Sequence, residues 1–144
     1  MNVQPQTCQR PVAMLRCKSA LLFGAALLIA PGCATVNWQS HVDLQRAAAL
    51  NQLVLIQFRT LTDPTCMDAD YTLFSNPEVI KALKNFQCVR LDFLMNKKTA
   101  DEWGVSAVPS YLILRPDGTL IDRRTGKMDP DEFRFFLNWA AMRR

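Results

Sequence analysis

One stretch constrains this chain more than any other: residues 53–66, LVLIQFRTLTDPTC. Residues 53–58 are large and apolar apart from Gln57, which predicts a short buried strand. Asp63-Pro64 then predicts a helix start. Asp accepts a bond from an otherwise orphaned backbone N–H, and Pro at the first helical position forfeits no hydrogen bond. The pattern is strand, loop, helix, with Cys66 in the first helical turn. A thiol there, just past a strand, is a candidate for thiolate chemistry. The plain alternative is a small buried apolar residue on a helix.

The rest of the chain alternates in type. Ser40 with Asp43 resembles a capping box and predicts a helix over 41–51, with His41, the only histidine, in its first turn. With no second His, no metal site or Cys–His pair is indicated. The helix from Pro64 breaks at Phe74-Ser75-Asn76-Pro77, because a residue before Pro avoids helical torsions. A second helix follows over 77–84, a strand over 86–93, and a short helix over 97–103 stopped by Gly104. Residues 105–109 are extended. Strands at 111–114 and 119–122 flank the turn Arg115-Pro116-Asp117-Gly118. Asp129-Pro130 opens a last helix running to about Met142, with Phe133, Phe136, Leu137 and Ala140 at core spacing. The helical crossover between the first two strands makes them parallel, and the hairpin adds antiparallel strands. The expectation is an α/β domain with a four-stranded mixed sheet and helices on both faces.

The start of the chain is of a different kind. Arg16 and Lys18 precede an apolar run over 20–30, too short to span a bilayer, which reads as a secretory signal peptide. It ends Ala30-Pro31-Gly32-Cys33, and small residues before a Cys resemble the lipobox of bacterial lipoproteins. That resemblance implies that Cys33 is lipidated and becomes the mature N-terminus, and Ala34 after it favours the outer membrane. The expected division is residues 1–32 as signal peptide, 33–39 as tether and 40–144 as domain. The leader holds Arg10, Arg16 and Lys18 and no acid, so fourteen of the seventeen basic groups face all thirteen acidic ones beyond it. A near-neutral domain gives no electrostatic case for nucleic acid.

The order of elements resembles the thioredoxin fold over about residues 38–143. Phe74-Ser75-Asn76-Pro77-Glu78-Val79 is similar to the segment after the active-site helix in domains like the periplasmic C-terminus of thiol:disulfide interchange proteins. Gly104-Val105-Ser106-Ala107-Val108-Pro109-Ser110 resembles the thioredoxin loop whose proline is cis. The resemblance implies that Val108 and Pro109 hold extended peptides through backbone contacts. It also implies a Trp-Cys-x-x-Cys site, and here the chain departs from it. Thr62 stands for the Trp, Asp63 for the attacking Cys, and Cys66 for the resolving Cys. Gln57 falls where thioredoxins carry a buried Asp, and Gln cannot carry a proton.

Dithiol exchange needs an exposed low-pKa thiolate and a second thiol to resolve the mixed disulfide. Asp63 is neither, and Asp63, Asp68 and Asp70 are expected to disfavour a Cys66 thiolate. The expected function is therefore an exported, lipid-anchored thioredoxin-like protein with a degenerate redox site. It would bind a polypeptide or partner in the cell envelope, without metal or cofactor. The alternative is a thiol–disulfide oxidoreductase that uses Cys66 alone or with Cys88. A thiol peroxidase is disfavoured, because Asp63 stands three residues before Cys66 where some peroxidases have Thr.

Overall fold

A computed structural model describes residues 35–143. In it the apolar run forms β2 (Leu53–Arg59), with every side chain from Leu53 to Phe58 buried. A strand buried on both faces needs neighbours on both edges and helices above and below. β2 has them: β3 (Phe86–Asp92) lies parallel on one side and β4 (Ser110–Leu114) antiparallel on the other. β5 (Leu120–Thr125) pairs with β4 through a turn in which Gly118 takes a φ of +88° and the Asp117 carboxylate accepts the Thr119 N–H at 2.8 Å.

The sheet has five strands, not the expected four. Trp38 and Gln39, assigned to the tether from sequence, form β1 (Trp38–Gln39), parallel to β3 at its outer edge. Two residues carry no readable period. Tertiary contact fixes them: Trp38 meets Phe74 edge-on at 4.8 Å and lies 4.1 Å below the Arg90 guanidinium. The first helix also begins later than expected. α1 (Leu44–Leu50) is capped by Asp43, whose carboxylate accepts the Arg46 N–H at 2.9 Å. Ser40 and the exposed His41 precede it in a bend.

The other helices follow their caps. α2 (Pro64–Phe74) starts at Asp63, α3 (Pro77–Leu83) at Asn76, and α5 (Pro130–Ala141) at Asp129 in a full capping box with Glu132. α4 (Lys97–Glu102) ends at Gly104, where φ is +65° and an added Cβ would lie 2.8 Å from Arg123 Nη1. That guanidinium donates to the carbonyls of Trp103 and Gly104, tying α4 to β5.

Two apolar layers result. Leu53, Leu55, Cys88, Tyr111 and Ile113 face Leu73, Val79, Leu83, Phe133 and Leu137 of α2, α3 and α5. On the other face Val54, Ile56, Phe58, Val89 and Leu112 meet Ala47 of α1 and Ala100 of α4. Each fully buried large apolar side chain contributes about 1.5–3 kcal/mol, so both faces hold β2 in place. Its end is therefore a fixed platform for the loop that follows.

Candidate functional site

β2 ends at Arg59, and Thr60, Leu61 and Thr62 lead into α2. Asp63 serves as the helix cap: its carboxylate accepts the Thr65 N–H at 2.7 Å and its carbonyl accepts that of Met67 at 3.1 Å. Thr62 is exposed, Asp63 is half-buried, and Cys66 is completely buried. Burial pushes the Cys66 thiol up, and the charges of Asp63 and Asp70 push the same way; the Thr60 backbone and Arg59 oppose them without prevailing. The helix N-terminus that favours a thiolate is already occupied by the carboxylate of Asp63.

Gln57 lies on the face of β2 that looks toward α2, and it is fully buried. Its Nε2 donates to Asp70 Oδ1 at 2.6 Å, and its Oε1 accepts from Arg90 Nε at 2.8 Å. Asp70 also pairs with Arg59 and lies 3.4 Å from Arg90 Nη2. One carboxylate from α2 thus meets two arginines, one from β2 and one from β3, and the neutral amide bridges them. A Gln suits this place because it donates and accepts at once. The same property keeps it from moving a proton to or from Cys66.

Arg59, Asp70 and Arg90 were not singled out together from sequence. One sequence signal points to Asp70, which is four residues beyond Cys66 and shares its helix face; Arg90 stands opposite Gln57 on β3 through a register that no local signal gives. Asp68, also expected to act on Cys66, turns away and pairs with Lys127 at 2.5 Å. Tyr111 sits opposite Gln57 on β4. Its hydroxyl is buried beside that amide without a well-formed hydrogen bond, and burial pushes the phenol up.

The Val108–Pro109 bond is cis, as the loop's resemblance implied. Pro109 is buried, Val108 half-buried, and Ser106 and Ala107 exposed. The Pro109 carbonyl accepts the Gly126 N–H at 2.8 Å, and the Ser110 hydroxyl donates to the Ala107 carbonyl at 2.6 Å. Ser110 pairs with Phe58, so this loop stands level with the end of β2, where the Cys66 loop departs. The β3–α4 loop joins them, since Phe93 N–H donates to the Arg59 carbonyl at 2.8 Å. Leu61, Leu94 and Met95 are exposed on these loops, and Leu61 lines a shallow hollow of about 190 Å³ with Arg59, Arg90 and Asp92.

Cys88 belongs elsewhere. It is buried in β3 between Leu55 and Trp38, and burial pushes its thiol up to about 12. Cys66 and Cys88 are both free thiols. Cys33 lies outside the described residues, as does the leader. Among the described residues no helix is long and apolar enough to cross a membrane, and no group of three or more His, Cys, Asp or Glu could hold a metal.

Residues 41–141 match the family model of a thioredoxin-like domain. The chain is 31% identical over 106 residues to the thiol:disulfide interchange protein DsbD of Pseudomonas fluorescens, across 69% of this chain and 18% of that protein. It therefore spans under a fifth of the length of that relative. Among solved structures it resembles a thioredoxin from Thermus thermophilus, with a TM-score of 0.68 at 19% identity over 76% of this chain and 89% of that one. It also resembles a DsbH oxidoreductase, with a TM-score of 0.66 at 14% identity over 84% and 96%.

Proposed function

The chain belongs to the thioredoxin-like domain family, and from that premise we propose that it is a member which has given up dithiol exchange and kept the surface for an extended polypeptide. The observation that carries this reading is the pair Asp63 and Cys66. A carboxylate caps the helix where the family's attacking thiol stands, and the remaining thiol is fully buried. Beneath them Gln57, held between Asp70 and Arg90, stands where thioredoxins carry a buried acid, and an amide cannot move a proton to the thiol. A carboxylate cannot open a disulfide, and a buried thiol of raised pKa is a poor nucleophile.

The retained surface is the end of the sheet formed by Val108, Pro109, Leu61, Leu94 and Met95. An extended segment of a partner would lie along the Val108–Pro109 loop through backbone contacts, with apolar side chains against the exposed leucines. The signal-peptide pattern of the leader and the likeness to DsbD support a role in the cell envelope. In this reading residues 1–32 are a lipoprotein-type signal peptide, Cys33 carries the lipid, and the folded domain begins at Trp38. The outer membrane is the favoured destination. Replacement of Cys33 by Ser is expected to block maturation, read as retention of the leader by mass spectrometry; an unlipidated native protein that begins beyond Cys33 would refute the anchor.

Insulin reduction in the presence of dithiothreitol tests the redox half. The wild type is expected to match the no-protein control, and Cys66→Ala is expected to behave alike. Asp63→Cys restores the pair and is expected to cycle weakly, because Gln57 still cannot shuttle a proton. Wild-type turnover that disappears in Cys66→Ala would instead favour an oxidoreductase working through that single thiol.

A further inference from the structure

The end of the sheet opposite the candidate site is where β2 and β3 begin and β4 finishes. Five cations gather there. Arg46 and Lys84 line a cavity of about 290 Å³ with Thr35, Gln39 and Phe86. Lys81 lines an adjoining hollow of about 220 Å³ with Leu53 and Phe86. Arg115 follows Leu114, the partner of Val54, and donates to the Arg143 carbonyl at 3.0 Å. Asp117, in the β4–β5 turn, and Asp43, which caps the helix that carries Arg46, are acids beside them.

Most cations elsewhere are paired. Among the described residues Arg59, Arg90, Lys97, Arg124, Lys127 and Arg134 sit in ion pairs, whereas Lys98 and Arg123 elsewhere, and all five at this end (Arg46, Lys81, Lys84, Arg115 and Arg143), sit in none. The asymmetry is not a consequence of net charge. Of the seventeen basic groups, Arg10, Arg16, Lys18 and Arg144 lie outside the described residues, leaving thirteen against thirteen acidic ones. Asp63, Asp92, Asp129 and Glu132, in no ion pair among the described residues, lie toward the other end. Leu50, two residues before Gln52 of the same cavity, and Met142, beside Arg143, are large apolar side chains exposed at the basic end.

The chain arrives at this end too. Thr35 lines the cavity, and Cys33 is two residues earlier, at most about 7 Å of extended chain away. We propose that the basic end docks on an anionic phospholipid surface. The five cations face headgroup phosphates, Leu50 and Met142 meet the interface, and the candidate site at the other end points away from the bilayer. Only the source of the membrane rests on the anchored reading above; the charge pattern stands without it. Cations near an anionic surface are attracted to it over a distance that salt shortens.

The test uses the full chain carrying Cys33→Ser, so that no lipid contributes, sedimented with vesicles of phosphatidylcholine alone or mixed with phosphatidylglycerol. Lys81→Glu with Lys84→Glu is compared with Lys97→Glu with Lys98→Glu, which reverses two charges away from the basic end. The leader is common to both variants and cancels. The first pair is expected to lose at least tenfold in partitioning onto the anionic vesicles at low salt, and the second no more than about twofold. High salt should remove the difference. Equal losses in both pairs, or no loss in the first, would overturn the proposal. Failure of the anchor would appear separately, as an unlipidated native protein whose charge variants still differ.

Discussion

Two rows of the same sheet face, one pleat apart, are built on opposite terms. The rear row is Cys88, Leu55 and Ile113 across β3, β2 and β4, and the front row is Arg90, Gln57 and Tyr111. About 7 Å separates them along the strands. The rear row is apolar, buried against α3 and α5, and its one heteroatom is a thiol that burial keeps protonated. The front row is nearly as buried but polar, and it is held by an amide and a carboxylate that pair with two guanidinium groups, although Arg59 Nε is buried without a hydrogen bond. Area removed from water stabilises the first, whereas hydrogen bonds and charge pairing only offset the desolvation of the second. Apart from Cys88, the ionisable groups of this face lie in the front row, next to the loop that carries Cys66. Here that row has been closed on itself, and Cys66 gains nothing from it.

Truncation separates the rows most sharply. Leu55→Ala leaves a cavity that the central strand cannot collapse, and about 3–4 kcal/mol of unfolding free energy should be lost in denaturant titration. Asp70→Ala removes the hub of the front row. It leaves Arg59, Arg90 and the Gln57 amide short of a partner, for a loss of about 2–3 kcal/mol. The smaller figure reflects the water that still reaches Arg59 and Arg90, whose side chains are 13% and 26% exposed. Equal stability of Asp70→Ala and wild type would mean that the front row is held by packing alone.

Four of the five strands and α5 were legible in the sequence because their signals are local, whereas the cis Val108–Pro109 bond was implied only by the loop's resemblance. Asp129-Pro130 with Glu132 names a capping box, and a fully apolar run names a central strand. The front row was only half legible. That Gln57 cannot carry a proton follows from its identity. That it lies between Asp70 and Arg90 depends on the alignment of β2 with β3, which nothing local announces. Asp68 and Asp70 looked alike until helical phase put one beside Cys66 and the other beside Lys127. Ser40 and Asp43 were both acceptable caps, and β1 is too short to have a pattern at all.

A smaller effect concerns pH. The Cys88 thiol is held near 12 when folded, against 9.0 when free. A group whose value rises on folding contributes its full stability below the free value and loses it as pH climbs toward the folded one. Between pH 9 and 12 the rear row should therefore weaken, by about 1.4 kcal/mol at pH 10. Cys88→Ala, though less stable at neutral pH, should lack that part of the slope when the two proteins are unfolded side by side across the range. Parallel slopes would contradict the burial of this thiol.

In the proposed function Cys66 is as inert as Cys88, although the resemblance aligns it with the family's resolving thiol. Native-state alkylation measures this directly. The folded protein is treated with iodoacetamide at pH 8, and each cysteine is followed by peptide mass spectrometry against the denatured chain. Both thiols are expected to react at least a hundredfold more slowly than when unfolded, and at similar rates. Rapid labelling of Cys66 with Cys88 still protected would contradict the account and return Cys66 to the role of a working thiol.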